Sequence, residues 1–265
     1  MKVAVFGDVH AHGDALDAVM AAAVDANVQE LWSLGDMVGS GPDPARVVRT
    51  VRAYCTVALV GNHDYAITGS VDPAVFGDPG SAARRSLELA ASALSASGDL
   101  DWLRSRKPAA HRHGVQCWHA SPRNPVWEFV TSANAEACLQ RQREPLGVVG
   151  HTHAPAAWRA RPGGGIDNTR IRVDQPLDLG NAKWLLNPGA TGAPRAASGG
   201  RWPAMQAHAG AGAGAWWLEL DLDRRIAVWR RAPFDPEPAL ERARAVGLAH
   251  QDVPPAVVAA PAAIS

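Results

Sequence analysis

The feature that most constrains the fold is a short apolar run that ends at side chains able to bind a metal or carry a proton. The run Thr56–Val60 predicts a buried strand, and it is followed by Gly61, a residue that tolerates a sharp turn. Asn62, His63 and Asp64 come next and are expected to lie on a loop. Alone, this tripeptide is equally compatible with an ordinary turn, because Asn and Asp are common turn residues.

The same pattern recurs at four other predicted strand ends, which favours a functional site over a set of unrelated turns. These ends are Gly7-Asp8-Val9-His10, Gly35-Asp36, Trp118-His119 and Gly150-His151-Thr152-His153. All of the five ends except Trp118-His119 place a glycine just before the first polar residue. Because sites in open α/β sheets lie at the carboxyl ends of strands, we expect these side chains to meet.

The composition argues against several other classes of protein. The 265 residues include 26 basic and 26 acidic side chains, so the formal net charge is zero. No basic block stands out, which disfavours a dedicated nucleic-acid binder, whereas a small phosphoester substrate fits. The three cysteines, Cys55, Cys117 and Cys138, form no C-x-x-C pair and indicate a reducing, cytoplasmic protein. Neither a signal peptide nor a membrane partner is predicted.

The first part of the chain alternates predicted strands and helices, which implies a parallel sheet with helices on its faces. The predicted strands are Lys2–Phe6, Glu30–Leu34, Thr56–Val60, Val115–His119 and Leu146–Val149. The predicted helices are Asp14–Ala26, one that begins at Asp43 or Pro44 and ends near Ala53, Ser81–Ala96, Leu100–Arg104 and Ser132–Arg143, and residues 65–80 are expected to be irregular.

The later part of the chain lacks intervening helices and predicts a second, mostly antiparallel sheet. Its predicted strands are Ala156–Ala160, Thr169–Val173, Lys183–Leu186, Ala215–Leu220 and Arg225–Arg231. Two soft stretches, 161–168 and 207–214, are expected to be loops. We predict one domain over residues 1–234, followed by a weakly packed Pro/Ala-rich tail over 235–265 with a short helical segment near Pro238–Val246.

Taken together, the five motifs resemble those of the calcineurin-like metallophosphoesterase superfamily. Two further stretches, His119-Ala120-Ser121-Pro122-Arg123 and Asn187-Pro188-Gly189-Ala190, are similar to its small prokaryotic phosphodiesterase branch. The resemblance implies an α/β fold, a four-layer αββα sandwich of two mixed sheets flanked by helices. It also implies hydrolysis of phosphodiesters or small phosphate esters by attack of a metal-bridging hydroxide.

The resemblance also implies a role for each polar side chain of the motifs. Asp8, His10, Asp36 and His153 would hold a first divalent ion, Asp36 would bridge, and Asn62, His119 and His151 would complete a second site. Carboxylate, amide and imidazole ligands suit Mn, Fe, Ni or Zn better than Ca or Mg alone. Asn62 and His63 would face the substrate, with Asp36 and His63 as the catalytic pair.

The sequence departs from the superfamily pattern at two places that concern the substrate. Ala11-His12 stands where the family often has Gly-Asn after the first histidine. Met37-Val38-Gly39-Ser40 stands where the protein phosphatase branch has Asp-Arg-Gly, so the usual partner of His63 and one phosphate clamp are absent. His63 either protonates the leaving oxygen or binds the phosphoryl group. Arg123 either replaces the clamp or is a surface residue, and His12 either reaches the substrate or only sits at a helix entry.

Three other functions compete with a phosphoesterase acting on small substrates. A non-catalytic scaffold with this fold would be expected to lack metal ligands or His63, which are all present. A nuclease is disfavoured by the neutral charge, and a protein phosphatase by the missing Asp-Arg-Gly segment. Several other polar residues are expected to have structural roles: Asp64 fixes its loop instead of binding metal, Asn187 forms a turn, and residues 111–113 lie in a polar loop before a strand. The oligomeric state does not follow from the sequence.

Overall fold

The computed structural model describes residues 1–192 and 214–248, and over these ranges the chain forms two six-stranded sheets. In chain order the strands are β1 Lys2–Phe6, β2 Glu30–Ser33, β3 Cys55–Ala58, β4 Ala109–Arg112, β5 Val115–Trp118, β6 Leu146–Val149, β7 Ala156–Ala160, β8 Ile166–Asn168, β9 Leu177–Asp178, β10 Trp184–Asn187, β11 Ala215–Asp221 and β12 Ile226–Ala232.

The helices pack on the outer faces of these sheets. They are α1 Gly13–Asp25, α2 Pro44–Tyr54, α3 Asn62–Thr68, α4 Ala82–Ser97, α5 Leu100–Arg104, α6 Ala135–Arg141 and α7 Glu237–Ala245, with a 3₁₀ helix at Pro73–Phe76. None of the helices in the described ranges combines the length and apolar character that crossing a lipid bilayer requires.

Each sheet mixes parallel and antiparallel strands. The first has the order β3-β2-β1-β11-β12-β9, with β1, β2 and β3 parallel and β11 and β12 antiparallel to their neighbours. The second has the order β4-β5-β6-β10-β7-β8, with β5, β6 and β10 parallel. The prediction that the late strands form a sheet of their own is wrong, because β11 pairs with β1 and β10 pairs with β6.

Three apolar layers hold the sandwich together. Between the sheets, Val5, Trp32 and Leu34 of the first pack with residues such as Val148 and Leu186 of the second, all of them buried. The outer face of the first sheet is covered by α1, α2 and α4, and that of the second by α6. The predicted four-layer αββα sandwich with two mixed sheets is therefore confirmed.

Three local predictions differ from the structure. Asn62 and His63 open helix α3 instead of lying on a loop, because Gly61 is extended and its N–H is held by the Asp64 carboxylate. Residues 169–173 are not a strand, whereas Ile166–Asn168, expected in a loop, pairs with β7. The polar stretch before β5 forms strand β4 and completes a hairpin, although it stays exposed on its outer side.

The described part of the predicted tail is better packed than expected. Helix α7 buries Ala239, Leu240 and Ala243, and Arg242 donates hydrogen bonds to Asp14 and Asp43 at 2.6–2.8 Å. Amphipathic spacing and an ion pair with distant aspartates account for this packing. The boundary at residue 234 stays a prediction, and the loop expected at 207–213 and the tail beyond 248 lie outside the described residues.

Candidate metal centre

The polar residues at the strand ends meet at one edge of the sandwich. Asp8 follows β1, Asp36 follows β2, Asn62 follows β3, His119 follows β5 and His151 follows β6. β1–β3 are parallel to one another and β5 is parallel to β6, so the carboxyl ends within each sheet point the same way. Donor atoms from both sheets lie within 4.8 Å of one another, so the two sets of strand ends meet at one edge. The parallel crossovers therefore assemble donors that are more than 100 residues apart in sequence.

Two groups of donor atoms form there, and Asp36 belongs to both. The first group contains Asp8, His10, Asp36 and His153, and the second contains Asp36, His119 and His151; within each, the donor atoms lie within 4.8 Å of one another. The Nε2 atoms of His10 and His119 each lie 3.6 Å from Asp36 Oδ2. A carboxylate placed between two sets of imidazoles can bridge two cations.

The imidazoles of each group turn their nitrogens toward one another. His10 Nε2 lies 3.0 Å from His153 Nε2, and His119 Nε2 lies 3.2 Å from both His151 Nδ1 and Asn62 Oδ1. Such convergence of nitrogen and oxygen lone pairs is the donor chemistry that a first-row divalent metal prefers. The donor atoms therefore have the chemistry of a metal site, and Asn62 Oδ1 lies beside the second group; its role as a ligand stays a prediction.

Backbone carbonyls fix the orientation of two of these rings. His119 Nδ1 lies 2.9 Å from the Leu34 carbonyl, and His10 Nδ1 lies 3.2 Å from the Val38 carbonyl. A protonated Nδ1 donating to a carbonyl leaves Nε2 with a lone pair for a metal. Burial lowers the pKa of His119 to about 4, so its imidazole is neutral near pH 7, as ligation requires.

Five of the proposed ligands adopt a backbone conformation that side chains rarely take. Their φ angles are positive: Asp8 53°, His10 48°, Asp36 50°, His151 65° and His153 61°. The left-handed region costs roughly 1–2 kcal/mol per non-glycine residue and is most tolerated by Asp, Asn and His. Concentration of such strain in one cluster is typical of a functional site held by the surrounding fold.

Asp64 organises the loops around the cluster and does not belong to either donor group. Its carboxylate accepts backbone N–H groups from Met37 at 3.0 Å, Val38 at 3.1 Å and Gly61 at 2.9 Å. Burial and the neighbouring Asp36 charge raise its pKa to about 8, while these three hydrogen bonds oppose the rise. The expected role of Asp64 in fixing the loop agrees with these contacts.

His63 is held by packing, which answers the question raised by the missing Asp-Arg-Gly segment. Its backbone N–H donates to Asp36 Oδ1 at 3.0 Å, and its ring lies edge-on to His10 at 4.7 Å and against Phe76 at 4.6 Å. A Cβ on Gly39 would lie 2.5 Å from His63 Nδ1, so the absence of that side chain makes room for the ring. Packing against His10, Phe76 and the backbone of Gly39 therefore orients the imidazole.

The two remaining predicted substrate residues lie outside the donor groups. Arg123 is exposed and lies 3.5 Å from Glu128, whose other oxygen accepts the Ser121 hydroxyl. His12 lies at the entry of α1, as one alternative expected, but it is buried, and its Nε2 has no hydrogen-bond partner among the described residues. Burial lowers its pKa to about 4, partly opposed by Asp43 and Asp14. A contact of either residue with substrate stays a prediction.

Sequence reasoning missed how Asn187 supports the cluster. This fully buried residue was expected to be a turn former, and its Oδ1 does accept the Gly189 N–H at 2.8 Å. Its Nδ2 also donates to the Gly150 carbonyl at 2.8 Å and to Thr152 Oγ1 at 2.9 Å. Asn187 thereby ties the loop that carries His151 to strand β10, a contact that no local pattern could reveal.

Aromatic rings on both sides of the cluster were not predicted either. Phe129 stacks on His151 with ring centroids 4.1 Å apart and an interplanar angle of 7°. Phe76 covers His63 from the other side, in a segment that was expected to be irregular. Isolated aromatic residues in loops carry no sequence signal of this kind, because the contacts join segments distant in the chain.

Comparison with solved structures supports the assignment of the fold. A metallophosphoesterase from Sphaerobacter thermophilus superposes with a TM-score of 0.78 and 27% identity, over 95% of this chain and 97% of that one. A hypothetical protein from Pyrococcus horikoshii gives a TM-score of 0.70 over 95% of this chain and 96% of that chain, and at 17% identity it shows a shared fold alone.

Sequence comparison finds relatives and a family model. An uncharacterized protein of Methanocaldococcus jannaschii is 27% identical over 198 residues, which cover 73% of this chain and 77% of that protein. A symmetrical bis(5'-nucleosyl)-tetraphosphatase of Erwinia tasmaniensis is 29% identical over 157 residues, 56% of this chain and 53% of that enzyme. The model of the calcineurin-like phosphoesterase superfamily domain matches residues 1–205. With its buried His/Asp cluster, the chain belongs to this superfamily of metal-dependent phosphoesterases.

Proposed function

We propose that the chain is a dinuclear-metal-dependent phosphoesterase that hydrolyses phosphodiesters or small phosphate esters. The observation that carries this proposal is the pair of donor groups that share Asp36 at one edge of the sandwich. Asp8, His10, Asp36 and His153 would hold one divalent ion, and Asp36, Asn62, His119 and His151 would hold the other. The mixed N and O donors suit Mn, Fe, Ni or Zn.

When bound, such a pair of ions supplies a nucleophilic hydroxide and neutralises the charge that builds up on the phosphoryl oxygens. The protein contributes the geometry. Asp36 is only 1% exposed and is held by the His63 N–H, and Asp8 accepts the His151 N–H at 3.0–3.1 Å. These contacts fix the carboxylates, and preorganised charges accelerate a reaction without having to rearrange.

His63 is the residue best placed to act directly on the substrate. Its ring lies 4.7 Å from that of His10 and 4.6 Å from that of Phe76, and this closeness to a proposed metal ligand supports a position beside the bound phosphoryl group. An imidazole there donates a proton to the leaving oxygen or a hydrogen bond to a phosphoryl oxygen. Asn62, the first residue of the same helix, would offer an amide beside the same position.

We further propose a cytoplasmic enzyme acting on a small phosphoester and not on a nucleic acid. The basis is the balanced charge of the chain and its three free cysteines, two of them buried. Burial raises the pKa of the Cys117 thiol to about 12, which supports a packing role for that residue.

The Asp36→Asn variant tests the proposal. We expect the purified wild-type chain to retain about two equivalents of divalent metal and, with added Mn²⁺, to hydrolyse a chromogenic phosphodiester. Loss of the bridging carboxylate should lower turnover by more than about a hundredfold and reduce the metal content. Asp78→Asn, on an exposed loop, is the matched control. Full activity in Asp36→Asn would refute the mechanism.

A further inference from the structure

A polar cavity of about 430 Å³ is bordered in part by Trp127, whose ring lies 6.2 Å from that of Phe76, and none of its lining residues belongs to the donor groups. It is bordered by cationic, aromatic and amide side chains, chiefly Tyr65, Arg104, Arg106, Lys107, Asn124 and Trp127. Three cations around one cavity are notable in a chain with no net charge, because they create a local positive field that favours an anion.

Two of these cations have no acidic partner. Arg104 pairs with Asp101 at 2.9 Å, whereas Arg106 donates to the Ser105 hydroxyl and lies over the Trp102 ring. Within the described ranges, no carboxylate lies within ion-pair distance of Arg106 or Lys107. Their charge is therefore available to a ligand.

An aromatic wall joins the cavity to the candidate metal centre. The ring of Phe76 lies 4.6 Å from that of His63 and 6.2 Å from that of Trp127. The sum of these two distances is the largest possible separation, so the ring centroids of His63 and Trp127 lie within about 11 Å of each other. Trp127 is 40% exposed and borders the cavity, so part of its indole surface is open to a planar ligand.

Hydrogen bonds anchor the cavity to the loops that carry the ligands. The Val60 N–H donates to the Lys107 carbonyl at 3.1 Å, and the His119 N–H donates to the Pro108 carbonyl at 2.9 Å. Residues 107 and 108 are thus held between the Asn62 helix entry and His119. The backbone that carries Arg106 and Lys107 is therefore tied to the segments that carry the proposed metal ligands.

The turn that presents Trp127 is also preorganised. Asn124 Oδ1 accepts the N–H groups of Val126 at 3.2 Å and Trp127 at 3.1 Å. The Ser121 hydroxyl oxygen accepts the Asn124 N–H at 2.9 Å. A rigid aromatic surface loses little entropy when a ligand stacks on it, which is the condition for efficient recognition.

We propose that this cavity binds a nucleotide portion of the substrate, with its base on Trp127 and its phosphate beside Arg106 and Lys107. The inference rests on the proposed function, since a second phosphorus centre of the same molecule would occupy the His/Asp cluster. The substrate class is then a nucleoside phosphate ester with at least two phosphate groups. A nucleobase presents a planar π face to the exposed indole while its phosphate meets the cations, so the combination favours a nucleotide.

Equilibrium binding of two hydrolysis-resistant probes tests this assignment. Adenosine 5'-(α,β-methylene)diphosphate and methylenediphosphonate differ only in the nucleoside, and each is titrated into the full chain with Mn²⁺ in a calorimeter. We expect the nucleotide probe to bind at least about fivefold more tightly, which is the low end of one base–aromatic stack. Trp127→Ala should remove that difference, whereas Trp127→Phe should retain most of it.

The charged half of the cavity is tested with a second pair of variants. Lys107→Ala should weaken both probes by about three- to tenfold and flatten the salt dependence of binding. Arg143→Ala, an exposed cation elsewhere, and Tyr54→Ala, an exposed aromatic residue on α2, are the matched controls and should bind as the wild type does.

The outcomes separate the cavity from the proposed chemistry. Equal binding of the two probes, or unchanged binding in Trp127→Ala and Lys107→Ala, overturns the nucleotide assignment even if a simple phosphodiester is still hydrolysed. Nucleotide binding that depends on both residues supports the assignment even if no ester is hydrolysed, and in that case it is the proposed function that fails.

Discussion

A methyl group added at Gly61 is expected to disrupt the candidate metal centre without straining the backbone. Gly61 has φ −106° and ψ −169°, an extended conformation that alanine adopts freely. A Cβ at this position would lie 2.5 Å from His119 Cε1 and 2.6 Å from its Nε2, and closer still to Asp36 Oδ1. Ordinary contacts of a Cβ begin near 3.4 Å, so both of these side chains must move by roughly 1 Å.

Neither neighbour can move without losing a hydrogen bond. His119 is fully buried and lies 2.9 Å from the Leu34 carbonyl, and Asp36 accepts the His63 N–H. Overpacking of this kind costs about 1–3 kcal/mol of folding free energy, and a displacement of about 1 Å at a reacting centre costs about a hundredfold in rate. We therefore expect Gly61→Ala to fold, to bind less metal and to lose about two orders of magnitude in kcat/KM.

The measurements are metal content by elemental analysis, kcat/KM with a chromogenic phosphodiester, and the melting temperature with and without Mn²⁺. At about 2–4 °C per kcal/mol for a domain of this size, the metal-free variant should melt roughly 2–12 °C lower than the wild type. The increase in Tm on adding Mn²⁺ should also shrink, because weaker binding stabilises the fold less.

Gly69→Ala is the matched control for this prediction. Gly69 ends the same helix with φ +80°, and no atom lies within 4 Å of where its Cβ would be. Alanine there costs about 1–2 kcal/mol of backbone strain but should leave metal content and kcat/KM unchanged. If Gly61→Ala kept full metal content and wild-type turnover, the placement of Asp36 and His119 around Gly61 would be wrong.

Three further predictions test the supports of the site and of the fold. Asn187→Ala should lower the affinity for metal about 10- to 100-fold, because the loop that carries His151 loses its hydrogen bond to Asn187. Titration with Mn²⁺ measures this affinity, and an unchanged value would mean that the loop does not need Asn187. Glu30 accepts hydrogen bonds from Arg112, Trp32, His113 and Thr56, and these hold its pKa below the ordinary value of 4.5. The stabilisation by the Glu30 carboxylate is therefore present above pH 4.5 and is lost as the pH falls further. In urea unfolding, Glu30→Gln should be destabilised by about 1 kcal/mol at pH 7 and by less near pH 3. A difference that does not depend on pH would contradict this. Arg242→Ala should cost about 1 kcal/mol in the same assay while Arg244→Ala costs little, and equal effects would count against the packing of α7.

The local structure of the strands could be predicted from the sequence because it depends on neighbours in the chain. The apolar runs that became β1 and β6 have the predicted bounds, and the polar residues that follow them were named as candidate ligands. Apolar run, glycine and donor are consecutive in sequence, so both their order and their chemistry can be read directly.

The arrangement of the late strands could not be predicted in the same way. β10 and β11 join different sheets, beside β6 and β1, although they are close in sequence. Strand pairing depends on which edge remains open after the earlier crossovers, and periodicity within a strand does not encode its partner. The helical start of the Asn62 segment likewise depends on the Asp64 side chain reaching back to Gly61.

The sequence by itself determined which donor chemistry this chain carries, because aspartate, asparagine and histidine at successive strand ends are compatible with few functions other than metal binding. Only the tertiary structure decided how those donors are oriented and what surrounds them. The positive φ angles of the ligands, the space that Gly39 leaves for His63 and the basic cavity beside Trp127 all arise from contacts between distant segments. Such contacts depend on packing in three dimensions, which no window along the chain contains.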